Sequence, residues 1–519
     1  MSVLPGGLRV CVESVPQYGR GLAALALTVA AGGDDDPAGR HGTAHLVEHL
    51  MFPRSGGGSA EPAGEGYAAL VAGAGGVCNA ETHRDHTVFH TTVPAESLPD
   101  ALAWEARRLL GFAPTEDVIR TETDVIGEEI RGAGDAGRYW ESALGALYPG
   151  SRDSFGTAAE LAGITAGEVE AFFRAHYTAP RMVLSVVGDV DPARVMAVAG
   201  EVFAGVGVTR AAGELRATGE ARAAEGPRAA GEPRAAAESC AAVESCAAEK
   251  SLAAREVRAA KEVGTASEIR TAVEPRTAER TPAAREIRTA PLPAARPGVA
   301  VGHPLPDPVA DRPAYLAQAV LAQVLGRSRL PALARSARDG HRLTSATVTC
   351  GYHGQWLASA APDLTLAVLG RAPGTEVGAA VGIWRSVLRA AAEGPLPEAE
   401  HRRAVNSLLV AWHRQADSLP ARAVALGRDA LLLPGSAGPD ALPAELRRTT
   451  PAEVAAAARA LLEGPVTVTE LAPQAGTVPT ARAGTEFARQ AGTVPTARAG
   501  TEFTPQADTE LAPQKGAVG

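Results

Sequence analysis

Apolar residues recur along this chain at two spacings. Leu8 to Val15, Leu22 to Ala30 and Arg181 to Val187 are short runs of apolar and β-branched residues, and the last runs into the turn pair Gly188-Asp189; all three read as strands. Ala314 to Leu325 and Glu376 to Ala392 carry apolar residues at helical spacing and read as amphipathic helices, while Val466 to Leu471 reads as a closing strand. The stretch Gly42-Thr-Ala-His-Leu-Val-Glu-His-Leu-Met-Phe52 predicts a short helix capped by Thr43, with Leu46, Val47 and Leu50 facing inward. A second helix is expected to begin at Thr115 and to end near Gly132.

Texture along the chain divides it into four zones. Residues 1–207 and 298–471 have the mixed apolar and polar character of packed domains. Between them, 208–297 is built from Ala, Arg, Glu and Pro in near-repeats; Glu238-Ser-Cys-Ala-Ala returns as Glu244-Ser-Cys-Ala-Ala. That zone has no aromatic residue and few large aliphatics, so little burial offsets the entropy of ordering, and it is expected to be a disordered linker. The last zone, 472–519, contains Gln474 to Phe487 repeated as Gln490 to Phe503 and is expected to be a disordered tail.

Composition narrows the function classes. A net charge of −9 over 519 residues gives no basic footprint for nucleic acid or for an anionic membrane surface. The five cysteines are odd in number and scattered, which argues against both a disulfide framework and a thiolate zinc site. No run of about 18 apolar residues is present, and the first ten residues lack the pattern of a secretion signal. The expectation is a cytoplasmic protein that engages neither membrane nor nucleic acid.

The chemistry concentrates in the short helix. His45 and His49 stand four apart on one face with Glu48 beside them, so two imidazoles can share a zinc ion and the carboxylate can take a proton from water. With 12 His and 59 acidic residues in the chain, His-x-x-acid-His is expected by chance only about 0.03 times. A catalytic zinc takes a third protein ligand; Glu122 and Glu129, seven apart on the second helix, offer one to coordinate and one to support. His83, His86 and His90 form a further cluster. It reads as a strand beside the site with histidines on its polar edge rather than as a second metal centre built on His86 and His90.

Together these motifs resemble the pitrilysin/insulinase family of inverted-motif zinc peptidases, which includes the mitochondrial processing peptidases. The similarity runs from Leu4-Pro-Gly-Gly-Leu-Arg-Val10 through Ala31-Gly-Gly, the His45 to His49 motif and Asn79-Ala-x-Thr-x-x-Asp-x-Thr-x-Phe89. It continues through Glu122 with Val125-Ile-Gly-Glu-Glu129, Phe155-Gly156 and Val187-Gly-Asp-Val-Asp191. The resemblance implies one zinc per chain held by His45, His49 and Glu129, with Glu48 as general base and Glu122 as supporting carboxylate. It implies an α+β fold of two homologous sandwich domains, each a mostly antiparallel sheet with helices on one face, enclosing a chamber for an extended peptide. Asn79, Ala80, Arg335 and Arg338 are the substrate-binding candidates. Where the resemblance leads one to expect a Tyr shortly after the Arg, this chain has Thr344 and Ser345. The expected activity is therefore metalloendopeptidase action on peptides or short unfolded polypeptides. The expected assembly is a homodimer or a heterodimer with a homologous zinc-less subunit; the alternatives are a zinc-bearing subunit active only with that partner, or a non-catalytic scaffold or interaction protein of the same fold.

Overall fold

The computed structural model describes residues 1–52, 66–132, 136–206, 286–331 and 343–473. Its first half is organised on a six-stranded sheet: β1 (Ser2–Val3), β2 (Arg9–Ser14), β3 (Leu22–Val29), β4 (Val77–Thr82), β5 (Thr87–Pro94) and β6 (Met182–Gly188), in the spatial order β1-β2-β6-β3-β5-β4. Only the β2–β6 pairing is parallel. The central strand β3 is almost wholly buried, as expected of a strand covered on both faces. One face packs on helices α1 (Thr43–Leu50), α2 (Leu98–Leu110), α3 (Glu116–Gly132), α5 (Ala166–His176) and α6 (Pro192–Val202), around Leu25, Leu27, Leu46, Leu102, Ile126 and Phe172.

The second half repeats the plan with β7 (Glu286–Arg288), β8 (Leu292–Ala294), β9 (Gly298–Pro304), β10 (Leu343–Cys350), β11 (Leu364–Arg371) and β12 (Val466–Pro473). The order is β10-β11-β9-β12-β7, with β8 also on β12; the pairings of β12 with β7 and β8 are parallel and the others antiparallel. Helices α7 (Arg312–Val324), α8 (Val377–Ala392), α9 (Glu398–Ala416) and α11 (Pro451–Glu463) cover one face.

Each sheet's other face is covered by a helix from the opposite half. Helix α10 (Leu419–Leu432) lays Ala423 and Val424 on Ala24, Ala26, Val88 and Val187 of the first sheet. Helix α4 (Ala136–Leu147) lays Trp140, Ala143 and Leu144 on Ala300, Leu364 and Leu366 of the second. The α10 contact is close because Gly427 has no side chain: a Cβ there would run into the Thr28 hydroxyl. This exchange adds a second covered face to the expected single helix layer.

Two expectations change. Ala314 to Leu325 does not form an amphipathic surface helix, because α7 is buried almost all round, from Tyr315 through Ala322. Strands β7 and β8 fall within 208–297, so apolar Ile287 and Leu292 already belong to the second sheet. The rest of that expected linker, up to residue 285, lies outside the described residues, as do 474–519 with their duplicated segment. No helix among the described residues is long and apolar enough to cross a membrane.

Candidate metal centre

An eight-residue helix has too few hydrogen bonds to persist alone, so α1 depends on what holds it. Leu46 and Val47 are fully buried and Leu50 nearly so, each contributing roughly 1.5–3 kcal/mol. Thr43 does not cap the helix as expected. Gly42 is the cap residue, at φ +105°, and a Cβ there would press on Leu161. The Thr43 hydroxyl instead donates to the Arg40 carbonyl. The free helix-end N–H groups of Gly42 and Ala44 donate to the two carboxylate oxygens of Asp36, at 2.6 and 2.8 Å. Asp36 also accepts from His41 Nδ1 at 3.0 Å, and Asp153 meets His41 Nε2 at 2.9 Å. Burial alone would lower the His41 pKa, but the carboxylates of Asp153 and Asp36 outweigh it and hold it up at about 9.

One face of this short helix carries the site. The His45 and His49 rings stand edge to face, their centroids 4.9 Å apart. Helix α3 crosses α1 and brings Glu129 Oε2 to 3.6 Å from His45 Nε2 and 3.4 Å from His49 Nε2. Ligand atoms at 2.0–2.1 Å around a tetrahedral zinc are about 3.3–3.4 Å apart, so Glu129 stands close to that spacing from each imidazole. The inner ring nitrogens are held as well: His45 Nδ1 lies 3.3 Å from the Phe155 carbonyl and His49 Nδ1 lies 3.1 Å from Glu122 Oε2. Such partners fix the ring orientation and turn Nε2 toward the metal position. Glu122 is buried, while Glu129 is partly exposed.

Without a cation the site collects protons. Burial disfavours charge on His49, yet hydrogen bonds to Glu122 and Glu129 raise its pKa to about 9. The Glu129 carboxyl is held far below its ordinary range by hydrogen bonds to His45 and His49. A divalent cation bound here would compete with the proton on His49, because an imidazole coordinates only when neutral at the ligating nitrogen.

Glu48, one residue before His49, has its Oε2 held at 2.5 Å by the hydroxyl of Thr82 on β4. Asn79 and Ala80 lie on the same strand, opposite His90 and Phe89 of β5, and β4 is the outermost strand of its sheet. Arg335 and Arg338 lie outside the described residues. Thr344 and Ser345 are exposed on β10.

The histidine cluster differs from the expectation of a polar strand edge. His83 and His86 sit in the β4–β5 turn, buried, with their rings stacked 4.3 Å apart. Arg428 of α10 reaches them from the second half: its guanidinium donates to His86 Nε2 at 3.0 Å and to Glu81 at 3.1 Å, and lies 2.6 Å from His83 Nε2. Burial, then the Arg428 charge, pushes His83 down to about 3, so a cation there meets a neutral ring. Among the described residues, His86 and His90 join no three-member metal-ligating group. The two such groups are His45, His49, Glu129 and His41, Glu141, Asp153. Sequence reasoning missed Asp36, His41, Thr82 and Arg428. Only His41, beside the motif, and Thr82, inside the Asn79 to Phe89 match, gave any signal.

Two sheet-and-helix halves of one plan, with a histidine-bearing helix packed against an acidic one in the first, define the class of fold. Comparison with known proteins agrees. Residues 12–133 match Insulinase (Peptidase family M16), and residues 163–408 match the Peptidase M16 inactive domain. An uncharacterized zinc protease of Mycobacterium tuberculosis is 31% identical over 207 residues, 39% of this chain and 46% of that one. The mitochondrial-processing peptidase subunit beta of Dictyostelium discoideum is 26% identical over 223 residues, 41% of this chain and 45% of that one. A solved protease from Helicobacter pylori shares the fold at a TM-score of 0.65 and 18% identity, over 91% of this chain and 98% of that one. The chain belongs to the insulinase family, peptidase family M16. Its matched stretch spans about half the length of these curated relatives.

Proposed function

We propose that this chain is a zinc-dependent endopeptidase acting on peptides or short unfolded polypeptides, with His45, His49 and Glu129 holding one zinc ion. The observation that carries the reading is the tetrahedral-edge spacing of Glu129 from both imidazoles, at 3.6 and 3.4 Å, with each ring oriented from behind. Bound zinc would supply Lewis acidity, polarising a carbonyl and acidifying water. Glu48, steadied by the Thr82 hydroxyl, takes the proton of the attacking water and passes it to the leaving amine. Glu122 keeps His49 in the tautomer that leaves Nε2 free to coordinate. The outer edge of β4, with Asn79 and Ala80, can receive an extended peptide as an added strand, so backbone pairing provides affinity with modest sequence preference.

The second half supplies no metal-ligating group of its own among the described residues, and Thr344 and Ser345 stand where a transition-state tyrosine is expected. We therefore extend the proposal to a dimer, with a second copy or with a homologous zinc-less chain that contributes the missing groups. The test is cleavage of an unfolded polypeptide by the zinc-loaded chain, alone and with such a partner, for wild type and Glu48→Gln. The expected result is a loss of about 10²–10⁴-fold in the variant with zinc retained. Undiminished cleavage by Glu48→Gln would remove the general-base assignment, and no cleavage under either condition would favour a scaffold.

A further inference from the structure

The second half contains a cavity of about 380 Å³ between its sheet and helices α8 and α11. Its lining is mixed: aliphatic Val301, Val381 and Val466 stand beside His303, Arg385 and Arg389. His303 is fixed in one tautomer. Trp384 Nε1, which can only donate, gives its hydrogen to His303 Nε2 at 3.0 Å, so the ring's own hydrogen is on Nδ1. That Nδ1 is buried and has no hydrogen-bond partner among the described residues. An orphaned N–H donor is costly to bury, and here it belongs to a residue lining a cavity. Burial first, and then the nearby charge of Arg385, lower the His303 pKa to about 3. Arg385 is ion-paired to Glu286 at 2.6 Å. Arg389, one helical turn further along α8, is exposed and has no ion-pair partner among the described residues. The cavity thus offers aliphatic walls, one neutral donor and, in Arg389, a cation without an ion-pair partner among the described residues.

We propose that this cavity is a binding site for a small amphiphilic monocarboxylate, its carboxylate between His303 Nδ1–H and the arginines of α8 and its hydrocarbon body against the aliphatic lining. At about 30 Å³ per water, the volume equals about a dozen water molecules, which sets the scale of the ligand. The site lies in the half that carries no metal-ligating group among the described residues, and its occupancy is independent of the zinc chemistry proposed above.

The test is isothermal titration of the full, zinc-loaded chain with octanoate and with its neutral isostere octanamide. The histidines are labelled with ¹⁵N so that the Nδ1 resonance of His303 can be followed. Octanoate should saturate at about one per chain and shift that resonance, and octanamide and Arg389→Gln should each weaken binding about 10-fold. Arg389→Gln should leave zinc content and peptide cleavage unchanged. Val381→Trp, which fills the cavity, should abolish binding. If that variant misfolds, Arg389→Gln and octanamide carry the test alone. The proposal is overturned if octanoate shows no saturable binding below about 10 mM, or if octanamide and Arg389→Gln bind as tightly as octanoate to wild type.

Discussion

Helices α1 and α7 occupy matching places in the two halves, each next after the central strand β3 or β9 that its sheet packs around, yet they do opposite work. Helix α7 is buried nearly all round by Tyr315, Leu316, Val320 and Leu321, and its buried polar groups are satisfied: Gln318 donates to the Pro304 carbonyl and the Thr365 hydroxyl, and the Tyr315 hydroxyl accepts from the Leu357 N–H. Helix α1 buries Leu46 and Val47 on one side and on the other turns His45 and His49 toward carboxylates and Glu48 toward the Thr82 hydroxyl. The first arrangement is stable because hydrocarbon fills it. The second requires every polar atom to be answered by a group from another element: Asp36, Phe155, Glu122 and Thr82. One architecture can therefore carry either a filler or a reactive helix, and the difference lies in the polar groups gathered around it.

Substitutions in the two helices should separate these roles. Glu48→Gln has the largest expected effect, a loss of about 10²–10⁴-fold in peptide cleavage, with folding and zinc content intact by thermal melt and metal analysis. Leu321→Ala, the corresponding assault on the filler helix, should cost about 2–5 kcal/mol in denaturant unfolding while zinc content per folded chain stays at wild type. Loss of zinc from folded Leu321→Ala would show that the halves are not separable in this way.

The anchor of α1 should be pH-sensitive. His41 has its pKa raised from 6.5 to about 9 in the folded chain, so its contribution is complete below about pH 6.5 and is lost as pH rises through 9. Comparing unfolding of metal-free wild type and His41→Gln at pH 6 and pH 10 should show a stability gap of up to about 3 kcal/mol that closes at the higher pH. A pH-independent gap would show that His41 packs but does not hold a charge. Glu122→Gln should have the smallest effect, weakening zinc affinity about 10–100-fold by competition titration with a chelator, because it supports His49 from behind without coordinating. Unchanged affinity would reassign Glu122 to α3 packing.

Much of this was legible in the chain. Strands β2, β3, β6 and β12 follow their apolar runs, and spacing alone placed His45, Glu48 and His49 on one helix and Glu122 and Glu129 on the other. What spacing could not show was contact between distant segments. The cap on α1 comes from Asp36, which binds helix N–H groups six and eight residues away. Arg428 reaches His86 across 342 positions, and no local pattern marks it. The histidines of the β4–β5 turn looked like a polar edge because the helix that covers them, α10, follows more than 300 residues later. Helix α7 read as amphipathic because helical spacing of apolar residues does not show that other elements will cover the remaining face as well.

The central claim is that His45, His49 and Glu129 form the metal centre. The direct measurement is an anomalous difference map at the zinc edge from crystals of the zinc-loaded chain. One peak about 2.0–2.2 Å from His45 Nε2, His49 Nε2 and a Glu129 carboxylate oxygen is the predicted result. A peak instead among His41, Glu141 and Asp153, or no peak beside α1, would contradict the account.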